Sequence, residues 1–327
     1  MNKFSSIAAT IAALWIALIP ALASAQFKPT HPVRILTPLS AGSGPDAALR
    51  AVAQGLSQKW GQAVIVDNRP GGNGFIAITA FKQSPPDGHE LIMADGGQLT
   101  VHPHTFRKLP YDPIKDLEPV RWLLVSKFFV AVAANSPFKT IDDIVQTAKA
   151  KPDGVTYGSF FIGSPAHLGG LQLQSLTGAK MLHVPYKDTM QLYTAVATGE
   201  VDWALGSIAS AGPLEKSGRL KFIAVASPNR FPLYANVAAS SESSTAKSFN
   251  VTGWDGIFAP RGTPKLIREQ IANDISDVLA SPQMVERYRT FGYEDPRLST
   301  DAFASQISKE SAEWKKVVNE AGLRLDE

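Results

Sequence analysis

The chain has 327 residues, with 32 lysines and arginines against 29 aspartates and glutamates, a formal charge of +3, 44% hydrophobic residues and no cysteine. The absent thiol excludes disulfides, thiol catalysis and cysteine-based metal sites together. The charges are scattered rather than gathered into a run, so the sequence carries no nucleic-acid footprint.

The N-terminus reads as an export signal. Lys3 supplies the charge, Ile7 to Ile19 form an apolar stretch interrupted only by Thr10, and Pro20 ends it before Ala23-Ser24-Ala25. This pattern predicts cleavage after Ala25. The stretch is short for the roughly 20 apolar residues of a membrane span, and no stop-transfer flank follows. No cysteine lies near the cleavage point, which excludes a lipid anchor there. The remaining residues 26–327 are long enough for two domains and predict a periplasmic protein whose stability comes from packing alone.

Strands and helices then alternate. Val33–Thr37 is apolar and β-branched, and Leu49, Val52, Ala53, Leu56 and Trp60 share one stripe of a following helix. Ala63–Asp67 predicts a strand, Asn68 to Gly74 a turn, Phe75–Lys82 a short helix, and Glu90–Ala94 a third strand. A second series begins at Phe128–Ala133, with a helix at Ile141–Lys149, a strand at Val155–Gly158 and a helix after Ser164. Strands at Met181–Pro185, Val201–Leu205 and Lys221–Ala226 complete it. Val251–Pro260 reads as extended, and helices follow at Pro264–Ala280 and Asp301–Ala321, the latter with Phe303, Ile307, Trp314, Val317, Val318 and Ala321 on one face.

This order predicts an α/β protein of two doubly wound lobes with a ligand cleft between them. Residues 26–125 and part of 254–327 form the first lobe, 126–253 the second, and the chain crosses near Val125–Phe128 and Val251–Trp254. In each series a strand runs into a loop of small residues that opens a helix, at Val33–Asp46 and Val155–His167. Unpaired N–H groups at such helix starts, together with about half a positive charge from the macrodipole, hold an anion without any arginine.

Other features have plainer readings. Asp46 opens a helix with Arg50 four residues on, a capping and i,i+4 arrangement. His89, His102 and His104 fit no standard metal spacing. The glycines from Gly71 to Gly74 lack the Lys-Ser/Thr of a phosphate loop and read as a turn, and Ala238–Thr245 reads as a Ser-rich surface loop. No G-x-S-x-G or H-E-x-x-H motif is present, which speaks against an enzyme.

Taken together, Asn68-Arg69-Pro70-Gly71 with Gly74, Pro86-Asp87-Gly88, Leu109 to Pro113, Tyr157-Gly158-Ser159, Gly163-Ser164 with His167-Leu168, His183 to Lys187, and Ala259-Pro260 with Gly262-Thr263-Pro264 follow a familiar order. Over nearly all of residues 26–327 the chain resembles the Bug-type solute receptors of tripartite tricarboxylate transporters. The resemblance implies a Venus-flytrap receptor, monomeric and without a cofactor or metal, that presents a small organic acid to membrane permease subunits. A sensing subunit that signals to a membrane kinase needs the same cleft and stays open as an alternative.

Carried over from the family, the carboxylate is held mainly by backbone N–H groups and waters. The first loop supplies Ser40, Ala41, Gly42, Ser43 and Gly44, and the second Ser159, Phe160, Phe161, Ile162, Gly163 and Ser164, with His167 behind it. A third wall consists of Asp95, Gly96, Gln98, Thr100 and His102. Departures from the family pattern include Leu39 and Ser43 in the first loop, His102 in place of Asn, and Gly206-Ser207 where an Asp-Asn pair is common. That last departure puts recognition of an amino group in doubt. Phe160 and Phe161 stand where small residues are usual, so one ring is available to stack on a planar acid while its neighbour turns inward.

Overall fold

The chain passes twice between two β-sheets, and both passages lie side by side. A computed structural model describes residues 27–320, so the predicted export signal and Ala321 lie outside the described residues. In the first sheet β1 (Val33–Thr37) leads into α1 (Gly44–Trp60), followed by β2 (Val64–Asn68), a 3-10 turn at Gly72–Gly74 and α2 (Phe75–Phe81). Then come β3 (Glu90–Asp95), a π turn at Gly97–Val101, the four-residue α3 (His102–Thr105) and β4 (Leu117–Lys127). The second sheet takes β5 (Phe129–Ala133), α4 (Ile141–Ala150), β6 (Thr156–Ser159), α5 (Pro165–Thr177), β7 (Leu182–Pro185), α6 (Thr189–Thr198), β8 (Trp203–Gly206), α7 (Ile208–Lys216) and β9 (Leu220–Val225). The chain returns through β10 (Thr252–Pro260), then α8 (Lys265–Leu279), α9 (Pro282–Phe291), β11 (Tyr293–Glu294) and α10 (Thr300–Glu320).

The six-stranded sheet has the order β11-β4-β10-β3-β1-β2 and the five-stranded sheet β7-β6-β8-β5-β9. β1 runs parallel to β2 and β3, as β6 does to β7 and β8, while the strands nearest the passage between sheets are antiparallel. Only Phe128 separates β4 from β5. Lys127 pairs with Thr252 and Ser126 with Gly253, so the outgoing and returning strands share one ladder.

The apolar stripe of α1 is laid on the first sheet, with Leu49, Val52 and Leu56 fully buried against Ile35, Met93 and Ile257. Burial of each such side chain contributes about 1.5–3 kcal/mol. Trp60 closes the stripe and donates from its indole to Asp274 on α8 at 2.8 Å. On the other face α10 buries Phe303 and Ile307 against Trp254 and Phe258. Val318 is buried beside Val101 and Leu168, whereas Val317 is 47% exposed. Neighbours on a helix point about 100° apart, so only one of the two valines faces inward.

Six elements escape the periodicity reading: α3, β4, α6, α7, α9 and β11. β4 lacks alternation because both its faces are covered, Val120, Leu123 and Leu124 packing with α8 and Leu117, Trp122 and Val125 with α10, and because its pairing with β10 slips twice. Pro119 stands on the stretch that β11 leaves uncovered, at an irregularity of the β10 pairing, where a missing N–H costs little.

In the second lobe, helix α5 packs so closely on β6 that a Cβ on Gly170 would lie 2.0, 2.5 and 2.6 Å from three ring atoms of Tyr157. Overpacking of a rigid, buried ring costs about 1–3 kcal/mol, more than the roughly 1 kcal/mol that alanine gains in helix propensity. Gly170→Ala is therefore expected to destabilise the protein, seen as a lower denaturation midpoint with an unchanged slope.

Candidate functional site

A cavity of about 500 Å³ lies between the ends of the two sheets. Four helices begin at its wall. Ser43 and Pro45 line it from the start of α1, Pro165 from α5, Asp188 and Thr189 from α6, and Ser207 and Ser210 from α7. Each helix start adds a partial positive charge. Lys187 is the one basic side chain on the wall, against Asp95, Asp188 and Asp255.

The first loop is folded by Asp46. Its buried carboxylate accepts the Gly42 amide at 2.8 Å, the Asn68 amide at 2.8 Å and the Arg50 guanidinium at 3.0 Å. Asn68 also donates to the Leu39 carbonyl, which ties the loop to β2. These bonds turn the capping reading of Asp46 into a clamp. They leave the amides of Ser40 and Ala41 without an acceptor among the described residues. The Ser43 hydroxyl, unlike the other N-cap hydroxyls, makes no cap bond and is buried without a partner.

The second loop is held by three histidines. His167 Nδ1 accepts the Gly163 amide at 3.0 Å, and Ser164 caps α5 by accepting the His167 amide at 3.3 Å. His183 meets Ser159 Oγ at 2.7 Å and stacks 4.3 Å from the His167 ring. His102, from the first lobe, donates to the Ile162 carbonyl at 3.2 Å, a bond that assigns its tautomer. The amides of Phe160, Phe161 and Ile162 find no acceptor among the described residues.

The cavity wall therefore includes Ser40, Ser43, Asp95, Gln98, Phe160, Phe161, Ile162 and Ser207 from the sequence reading. Eleven others do not line it. Ala41 and Gly42 turn to solvent because the Asp46 clamp pulls the loop's far side outward. Gly44 is closed off by Ala209, Gly96 by the Trp254 indole and Gly206 by Ala211 and Tyr193. Thr100 bonds Gly96 O and Glu310, while His102, Ser159, Gly163, Ser164 and His167 spend their polar groups on one another's loops. These residues shape the wall from behind. Phe160 packs on both apolar clusters of the second lobe, whereas Phe161 belongs to neither and meets Phe160 and His102 edge-on.

Several wall residues went unread as site residues: Asn73 and the glycines beside it, Tyr186 to Thr189, and Gly253 to Asp255. Gly71 and Gly74 have φ of 105° and 88°, as a tight turn requires, and a Cβ on Gly74 would meet Gln98 at 2.2 Å. The sequence signalled a turn there, yet not that it faces Gln98.

Burial sets the charges. Asp95 is pushed up to about 6 by desolvation, against the Gln98 and Gly97 amides and with the Glu310 charge adding to the rise. Asp255, its partner across the β3–β10 ladder, is held well above the carboxylate range by burial and then by Asp95. Burial lowers His102 and His183 to about 4, and burial with the His183 charge lowers His167 to about 3.

Two α/β lobes joined by paired strands around one cavity define a bilobal solute-binding protein. The chain belongs to the tripartite tricarboxylate transporter receptor family, whose pattern matches residues 48–323. It is of the Bug type, a solute receptor rather than an enzyme, and receptors of this type work in the periplasm. It is 31% identical over 96% of its length to a UPF0065 protein of Bordetella bronchiseptica, covering 92% of that relative. A Rhodopseudomonas palustris protein, Rpa4515, solved with adipate, superimposes with a TM-score of 0.86 at 27% identity, over 91% of this chain and 99% of that one. MatC from Rhodopseudomonas palustris, solved with bound malate, gives 0.82 at 27%, over 89% and 99%.

His102 is neutral when folded and protonates only near pH 4, whereas the unfolded residue takes up a proton near 6.5. Its folded-state pKa is depressed, so its contribution is complete above 6.5 and is lost as pH falls towards 4, by about 2 kcal/mol at pH 5. Asp95 works in the opposite direction, because its raised pKa favours the folded state on acidification. Unfolding of the His102→Asn variant is expected to show about 2 kcal/mol less loss of stability between pH 7 and pH 5 than the parent.

Proposed function

We propose that this protein captures a small organic carboxylate in the periplasm and presents it to the permease subunits of a tripartite tricarboxylate-type transporter. The observation that carries this reading is the convergence of four helix starts and the unpaired amides of Ser40 and Phe160 to Ile162 around one cavity. Such donors hold a carboxylate at fixed geometry without a flexible basic side chain. The adipate and malate in the two Rhodopseudomonas structures support the ligand class. Export requires removal of residues 1–25, after which the receptor acts as a monomer. Signalling to a membrane kinase is the second reading, and the neighbouring genes distinguish permease from kinase.

Capture proceeds by closure. Residues 26–125 with part of 254–327 move as one lobe and 126–253 as the other, bending at Lys127–Phe129 and Val251–Gly253. The closed form is held by His102 on Ile162 and by Gly97 against the Gly163 carbonyl, where an added Cβ would come within 2.6 Å. Ligand bound to both lobes shifts the population towards this form by its differential affinity.

Purified protein is to be melted against mono-, di- and tricarboxylates, aromatic acids and neutral controls. A true ligand at a hundred times its dissociation constant stabilises by about 2.7 kcal/mol. Silence from every acid, with a response to a neutral compound, overturns the reading. Solution scattering is expected to give a smaller radius of gyration with the winning acid than without it. Gly163 has φ of 86° and sits 2.9 Å, at its would-be Cβ, from the His102 ring. Gly163→Leu is therefore expected to weaken acid binding at least tenfold while both lobes stay folded, checked by calorimetry and circular dichroism.

A further inference from the structure

Asp95 and Asp255 are direct register partners across β3 and β10, which puts both side chains on the same face at the cavity. They are only 7% and 6% exposed. Asp95 Oδ1 accepts the Gln98 amide at 3.1 Å, but Asp255 Oδ1 is buried with no partner. Neither carboxyl pairs with a lysine or arginine among the described residues, and the charge that acts on Asp95 from α10 is another acid, Glu310. Two like groups directly opposite each other oppose folding, and an unsatisfied buried oxygen adds to that cost. Sharing a proton relieves the repulsion, yet it leaves the Asp255 oxygen unfilled. A cationic nitrogen in the cavity meets both needs, because it neutralises the pair and brings several N–H donors where a hydroxyl brings one.

We propose that the ligand is an amine-bearing organic acid whose protonated nitrogen seats between Asp95 and Asp255 while its carboxylate takes the helix-start amides across the cavity. This rests on the carboxylate-receptor reading and narrows it. It also answers the doubt raised by Gly206-Ser207, since acids from β3 and β10 supply what that corner of the second lobe lacks.

The test uses three matched series. Adipate, 6-aminohexanoate and 1,6-diaminohexane form one; succinate, 4-aminobutanoate and 1,4-diaminobutane a second; terephthalate, 4-(aminomethyl)benzoate and 1,4-bis(aminomethyl)benzene a third. Melting shifts rank them and calorimetry measures affinity. In at least one series the amino acid is expected to bind at least tenfold more tightly than its dicarboxylate. In Asp255→Asn this preference falls at least tenfold and the dicarboxylate binds as well as before or better. Asn is isosteric and removes a like charge, so the variant is expected to melt no lower than the parent. Asp95→Asn, measured in parallel, moves the preference in the same direction. Dicarboxylates winning in every series, or a preference untouched in both variants, overturns the proposal and leaves the carboxylate reading standing. Diamines responding while every acid is silent, or no probe responding, overturns both.

Discussion

The link between the lobes is the constraint from which the site follows. Phe128 alone separates β4 from β5, and the returning strand is paired to the outgoing one at Lys127–Thr252 and Ser126–Gly253. A connection this short cannot let the second sheet swing round to pack face-on against the first. It fixes the sheets end to end, so the loops that follow β1, β3, β6, β7 and β8 all point into one gap. Helix starts come with those loops, because a strand-to-helix turn places its unpaired N–H groups beyond the strand end. The concentration of open amides and helix starts at the gap is therefore a result of topology before any side chain is chosen.

Side chains then decide how stiff and how charged the gap is. Asp46 spends its carboxylate on the first loop, and His102, His167 and His183 spend ring nitrogens on the second. Asp46, His102 and His167 are buried and His183 half-buried, and each meets a backbone or side-chain partner, which holds the loops in place without filling the cavity. Neutral histidine suits the task because it offers one donor and one acceptor without bringing a competing charge. Hence the residues most recognisable as chemistry sit behind the wall, and much of the wall itself is backbone, glycine, proline and aromatic carbon.

That division explains what was legible in the sequence. Alternating strands and helices, the two strand-loop-helix units and the buried stripe of α1 follow from local periodicity, so they could be read directly. β4 could not, because helices cover both its faces, its register slips twice against β10 and it includes Pro119. At the site, Ser40, Gln98 and Phe161 were legible as loop positions, while Gly44, Gly96 and Gly206 only look equivalent in sequence. What closes them off is Ala209, Trp254, and Ala211 with Tyr193, residues from elsewhere in the chain. Asp255 escaped notice because it stands within an apolar strand, where an acid carries no motif. Its meaning appears only when the β3–β10 register sets it opposite Asp95.

Among the described residues the Asp95–Asp255 pair has no basic partner, and the helix starts across the cavity offer loop amides that have no acceptor. The two deficits do not cancel through the protein itself, since the Asp95 carboxyl reaches only the Gln98 and Gly97 amides and the loop amides stay open. In low dielectric such unpaired groups cost more than they would in water, so the closure proposed above is disfavoured until a ligand meets them. A ligand that carries opposite charges at its two ends removes both deficits only when the lobes are shut around it. The proposed closure thereby draws its differential affinity, the quantity that couples binding to a change of shape, from the residues of the wall.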